Sequence, residues 1–280
     1  MMKQGFSGFS FSSDYKYEDI FRACSDAGYQ GVEVVVQEAG DITLNTGKAD
    51  LLEIKKMAAD YGLEICSIGC TMFWNEPICS NDPKVRNRVI ELGKKVLDIG
   101  AFLGADTMLL IPGWTGTDFN PNAEIISYDA AYENAKEAIS RLGEHAKAVK
   151  VAVGIENVWN KFLLSPLEMR NLIDEINNDY VGAYFDVSNI LYTGYPDQWI
   201  RILGKRIKKI HIADFRRSAI SMAGFVDLLA GDVDFGAVMA ALRDINYNDY
   251  LILEMFPNYT KFPLQSIYSN KPSFDKIMTL

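Results

Sequence analysis

The chain has 280 residues, 49% hydrophobic and 23% charged, with a formal net charge of −9. That length admits two ordinary domains or one large α/β unit with a sizeable core. The acidic balance argues against a nucleic-acid partner, which needs a basic footprint, and no run approaches the ~18 apolar residues of a membrane span.

The first fifteen residues, MMKQGFSGFSFSSDY, carry neither a continuous apolar core nor a small-residue cleavage site. No signal peptide is expected there, and a cytoplasmic location is the expectation. The cysteines at 24, 66, 70 and 79 form no CxxC pair and have no nearby histidine. They read as reduced thiols rather than a zinc ribbon.

Strand-like and helix-like segments alternate from end to end. The strand candidates are GFSGFSF (5–11), GVEVVV (31–36), LEICSI (63–68), DTMLLI (106–111), VAVGIE (151–156), VGAYFD (181–186), IKKIHI (207–212) and YLILE (250–254). Long amphipathic helices are expected over 84–103 and 127–149, and a weaker one over 264–280. Asp82-Pro83 and Ser165-Pro166-Leu167-Glu168 carry helix-start signals, the second a capping box; Pro196 and Asp234 look similar. Eight strand–helix repeats predict a single-domain (β/α)8 TIM barrel over residues 1–280. A doubly wound open sheet is the rival, but FSFSSDYKYED after the first strand lacks its GxGxxG turn.

A barrel of this kind projects its chemistry from the C-terminal ends of its strands. At the ends of strands five to eight stand Glu156, Asp186, His211 and Glu254, each closing an apolar run. Side chains alternate along a strand, so Glu156 shares its face with Gly154 and Ala152, and His211 shares its face with Lys209 and Ala213. All four polar ends can therefore point inward together. Three carboxylates converging without a counter-charge repel one another and are costly to desolvate. A divalent cation removes both problems, and an N/O donor set without sulfur suits Mn²⁺, Co²⁺, Mg²⁺ or Zn²⁺. His145, in GEHAKAVK, reads as a surface or packing residue. Asp214 could orient the His211 imidazole or pair with Arg216 in the loop.

These residues carry a resemblance. AGYQGVEV, FLGADTMLLIPG, GIEN, YFDVSN, KIHIADF, GDVDF and YLILE are similar to motifs of the xylose-isomerase-like TIM-barrel superfamily of sugar (phosphate) isomerases and epimerases. The pattern is nearest to ketose 3-epimerases and L-xylulose/L-ribulose 5-phosphate 3-epimerase-type enzymes. The resemblance implies one divalent metal ion, manganese first, held by Glu156, Asp186, His211 and Glu254. It implies that Glu156 and Glu254 also form the acid/base pair, one on each face of a ketose or ketose phosphate. Proton transfer would run through a metal-stabilised enediolate. It also implies a substrate contact at Arg217, a small-molecule partner, and a homodimer or homotetramer. Two departures bear on the sugar: Asn189 stands where ketose 3-epimerases place a histidine, and NVWNKFLL lacks their second glutamate. The alternative is a metal-dependent lyase or dehydratase acting on a keto-sugar or cyclic polyol by the same proton abstraction.

Phe9, Phe11, Phe73, Trp74, Trp114 and Trp159 are expected in loops at the barrel mouth, where sugar C–H faces stack on rings. Phe11, Trp74, Trp114 and Asn189 are thus candidate substrate contacts, as are the basic Arg217 and Lys161. Arg216, Arg217 and Lys161 could hold a phosphate or only hydroxyls. The long 215–231 connection suggests a short lid helix at FVDLLAG.

Overall fold

Eight parallel strands close into a barrel in the computed structural model, which describes residues 2–118, 120–256 and 259–280. In chain order the strands are β1 (Lys3–Ser7), β2 (Gly31–Val36), β3 (Glu64–Cys70), β4 (Thr107–Leu110), β5 (Ala152–Glu156), β6 (Val181–Asp186), β7 (Ile207–Ile212), β8 (Asp214–Phe215), β9 (Phe225–Val226) and β10 (Tyr250–Leu253). The barrel order is β1-β10-β7-β6-β5-β4-β3-β2, while β8 and β9 form a separate antiparallel pair. Glu254 lies one residue past β10, but its N–H still donates to the Ile212 carbonyl at 3.0 Å, so the ladder carries it to the rim. The expected barrel and the inward set of strand ends are both present.

Local signals explain the helices that ring the barrel. Asp82 accepts from the Lys84 N–H ahead of the helix Pro83–Leu103. Ser165 and Glu168 complete a reciprocal capping box at Pro166–Ile176, and Asp234 accepts from Ala237 N–H at Phe235–Asp244. The C-terminal helix Gln265–Met278 forms despite Pro272 inside it.

Three expectations are corrected. The first strand stops at Ser7, because Ser7 Oγ accepts from Phe9 N–H and the chain turns into a 3₁₀ helix over Gly8–Ser10. FVDLLAG forms no lid helix; its first two residues pair as β9 against β8. Asp214 secures that fold, its carboxylate accepting from the N–H groups of Phe215, Gly231 and Val233 at 2.8–3.1 Å. Those contacts absorb Asp214, which neither orients His211 nor pairs with Arg216.

The floor of the barrel is ionic. Lys209 is fully buried, with Nζ 2.9 Å from Asp106 and paired also with Asp249. Burial opposes the ammonium, but the two aspartates outweigh it and hold its pKa above the ordinary value. Removing both partners leaves a buried charge uncompensated. The Asp106→Asn/Asp249→Asn double variant is expected to lose about 3–5 kcal/mol in urea unfolding. A loss below ~1 kcal/mol would mean that water reaches the ammonium. Among the described residues, no helix is long and apolar enough to cross a membrane.

Candidate metal centre and active site

Glu156 ends β5, Asp186 ends β6, His211 is the penultimate residue of β7 and Glu254 follows β10. One ligand atom from each lies within 4.8 Å of the others. His211 Nδ1 is 3.6 Å from Glu156 Oε1 and 3.4 Å from Glu254 Oε2. Those spacings are charge contacts rather than hydrogen bonds, and Nδ1 is buried without a hydrogen-bond partner. Asp186 commits Oδ1 to Ser188 N–H, Ser188 O–H and Asn189 N–H, each at 2.7 Å, which fixes the carboxylate at the strand end. An orphaned imidazole nitrogen facing clustered carboxylates fits a divalent cation held by N/O donors.

The sequence pattern does not single out Glu33, yet it governs His211. It lies within β2, fully buried, and Oε1 accepts from Ser7 Oγ at 2.6 Å and meets His211 Nε2 at 2.9 Å. Oε2 accepts from Ser67 Oγ at 2.7 Å and from the Tyr184 hydroxyl. A carboxylate on Nε2 requires the proton there, which turns the Nδ1 lone pair toward the ligand cluster. Gly154 makes room for Tyr184 in this network: a Cβ there would come within 2.9 Å of the Tyr184 Cβ.

A cavity of about 510 Å³ opens above the cluster. Glu156 and Glu254 line it, whereas Asp186 and His211 lie behind them. Of the expected substrate contacts, Trp74, Trp114 and Asn189 line this cavity. Trp74 and Trp114 stack at 6.3 Å, with planes 11° apart. Phe11 is instead packed in the core against Phe6 and Tyr15, and the 3₁₀ turn presents Phe9 to the cavity. The Arg217 guanidinium sits over the Tyr195 ring, and Lys161 pairs with Asp118 at 2.6 Å; neither lines the cavity. His145 lies on the helix surface, 2.7 Å from Asp98.

Burial pushes the Glu156 carboxyl up to about 8 against its His211 contact, with the Glu254 charge adding to the rise. Burial likewise pushes Asp186 up to about 6, opposed by His211. Burial works against charge on His211, but Glu33 and Glu254 outweigh it and hold the imidazole protonated well above its ordinary range. In the metal-free protein the folded state therefore retains protons that the unfolded state releases between roughly pH 4.5 and 8. Stability contributed by Glu156 is present at low pH and is lost as pH rises through that window. A bound cation replaces those protons. Added Mn²⁺ should raise the Tm of EDTA-stripped protein by several degrees more at pH 8 than at pH 5. Equal gains in calorimetry at the two pH values would contradict this assignment.

Comparison with known proteins agrees with the geometry. A family model described as xylose isomerase-like TIM barrel matches residues 21–270. The D-psicose 3-epimerase of Enterocloster bolteae is 27% identical over 252 residues, covering 86% of this chain and 77% of that protein. SgbU of Haemophilus influenzae, provisionally assigned as an L-ribulose-5-phosphate 3-epimerase, is 22% identical over 262 residues, with 89% and 85% coverage. Among solved structures, the IOLI protein with a bound zinc atom superposes with a TM-score of 0.81 at 18% identity, over 99% of this chain and 98% of that one.

Proposed function

This chain belongs to the xylose isomerase-like TIM-barrel family, and from that premise we propose that it is a divalent-metal-dependent epimerase or isomerase of a keto sugar. The observation that carries the reading is the division of labour within the cluster. Glu156 and Glu254 reach the cavity, while Asp186 and His211 sit beneath them. A divalent cation held by these four residues, Mn²⁺ foremost, supplies Lewis-acid polarisation of the substrate carbonyl. The likeness to the D-psicose 3-epimerase and to the zinc-bound IOLI protein supports both the sugar and the metal.

The rest of the chemistry falls to the chain's own groups. Glu156 and Glu254 approach from strands separated in the barrel by β6 and β7. One takes the proton from the carbon next to the carbonyl, and the other returns it from the opposite face, which inverts that carbon. Return to the adjacent carbon instead gives an aldose–ketose pair. Trp74 and Trp114 offer ring faces to sugar C–H groups and help exclude water.

Incubation of the Mn²⁺-loaded protein in D₂O with a panel of ketoses and ketose phosphates tests this reading. One deuterium should enter the carbon beside the carbonyl, in a product isomeric with the substrate. A product lacking water would mark a dehydratase, and absence of uptake with every sugar turned over would reject the two-glutamate route.

A further inference from the structure

Beside the metal cavity lies a second chamber of about 560 Å³. Val158, Trp159, Asn189 and Met222 line both spaces, so the two adjoin along one wall. Trp159 is fixed in that wall: its indole N–H donates to the Asn189 carbonyl at 2.8 Å, and its ring packs 5.6 Å from both Phe215 and Phe225. The far side of the chamber is apolar, built from Phe162, Leu163, Leu164, Ile190, Tyr192 and Ile220. Leu164, Tyr192 and Ile220 remain 55–58% exposed at its rim. Large apolar side chains left open around a concavity beside a reactive centre mark a binding surface rather than core. The metal cavity alone is already of small-molecule size, within the ~300–1,000 Å³ typical of ligand pockets. An unsubstituted sugar has no use for the second chamber.

Charge narrows the ligand further. Among the described residues, no lysine or arginine lines the metal cavity, and Lys161, the one basic residue lining the second chamber, is paired with Asp118. Arg216 and Lys261 line a third depression, across Phe225 and Phe256 from the metal cavity, and Arg216 Nε already donates to the Ala230 carbonyl. A phosphate in the metal cavity would lie near the Glu156 and Glu254 carboxylates that line it, with no lysine or arginine among the described lining residues to meet it.

We infer that the second chamber is a subsite for an apolar or ring substituent, and that the substrate is an uncharged keto sugar bearing that substituent on a carbon away from its carbonyl. The inference rests on the keto-sugar reading above. It also makes a binding claim of its own.

The test compares D-fructose, D-fructose 6-phosphate, 6-O-benzyl-D-fructose and a phenyl 3-keto-glucoside, by deuterium uptake from D₂O and by calorimetric binding. At least one aryl probe should exceed D-fructose about tenfold in kcat/KM, and the phosphate should fall below it. Leu164→Asp and Ile220→Asp should each cut the aryl preference and the aryl affinity about tenfold. A preference for the phosphate, or an aryl preference unchanged in both variants, overturns the inference. So does a fall in assembly mass in these variants with the aryl preference intact, which would make this face a contact between copies of the chain. If no probe takes up deuterium, the keto-sugar reading fails. Aryl binding that the two variants weaken would still support the chamber, and absence of aryl binding would overturn it.

Discussion

Glutamine at position 156 or 254 is expected to lower kcat about 10³-fold while leaving the barrel folded. The amide keeps the shape of the carboxylate and an oxygen that can face a cation, but it cannot accept a proton. Both side chains line the cavity, so each change reaches the reacting carbon directly. The two variants should also differ from each other. In Glu156→Gln, the epimer whose C–H faces Glu254 should still exchange with D₂O, although net inversion is lost. In Glu254→Gln the exchanging epimer should be the other one. Metal content and Tm, measured alongside, separate loss of the proton acceptor from loss of the cation. Undiminished turnover in either variant would remove that glutamate from the acid/base pair. Exchange of the same epimer in both would place the two groups on one face of the sugar.

The parts of this site legible in the sequence share a physical origin. A strand buried on both faces reads as a near-continuous apolar run, so a polar residue at its end stands out. Glu156, Asp186, His211 and Glu254 all stand out in that way, and the structure gathers them within 4.8 Å. Capping signals at Asp82, Ser165 and Asp234 were equally legible, because a cap is decided within three or four residues. What could not be read depended on closure of the barrel or on loop geometry. Glu33 interrupts GVEVVV as a solvent-facing residue of an amphipathic strand would, and its partners Ser7, Ser67, Tyr184 and His211 come from four other strands. The exchange of Phe11 for Phe9 follows from one 3₁₀ turn that local alternation does not encode. Arg217 and Lys161 lie in connecting segments, and their places over Tyr195 and against Asp118 were set by contacts distant in sequence. One signal could have found Glu33: an acid in mid-strand beside small hydroxyl-bearing positions, Ser7 and Ser67, on the two neighbouring strands.

Glu33 carries the second large expected effect, because its charge acts on the metal through His211. Burial works against the Glu33 carboxylate, but the charge and hydrogen bond of His211, with Ser7 and Tyr184, hold its pKa below the ordinary value. It therefore stays ionised and keeps the proton on Nε2. Glu33→Gln preserves the volume and one acceptor oxygen but removes the charge and sets an amide N–H₂ among hydroxyl donors. Affinity for Mn²⁺ should fall about 10–100-fold, as for other partners that orient a metal-binding histidine. A purely structural role would lower Tm and leave the pH dependence of binding where it was. A positioning role moves that dependence. Without the Glu33 charge the imidazole loses its proton more readily, so the midpoint of Mn²⁺ binding against pH should shift downward even as the plateau affinity drops. Titration of metal-stripped wild type and variant between pH 5 and 8.5 reads both quantities at once. A lowered plateau with an unmoved midpoint would mean that Glu33 only fills space between Ser7, Ser67 and Tyr184.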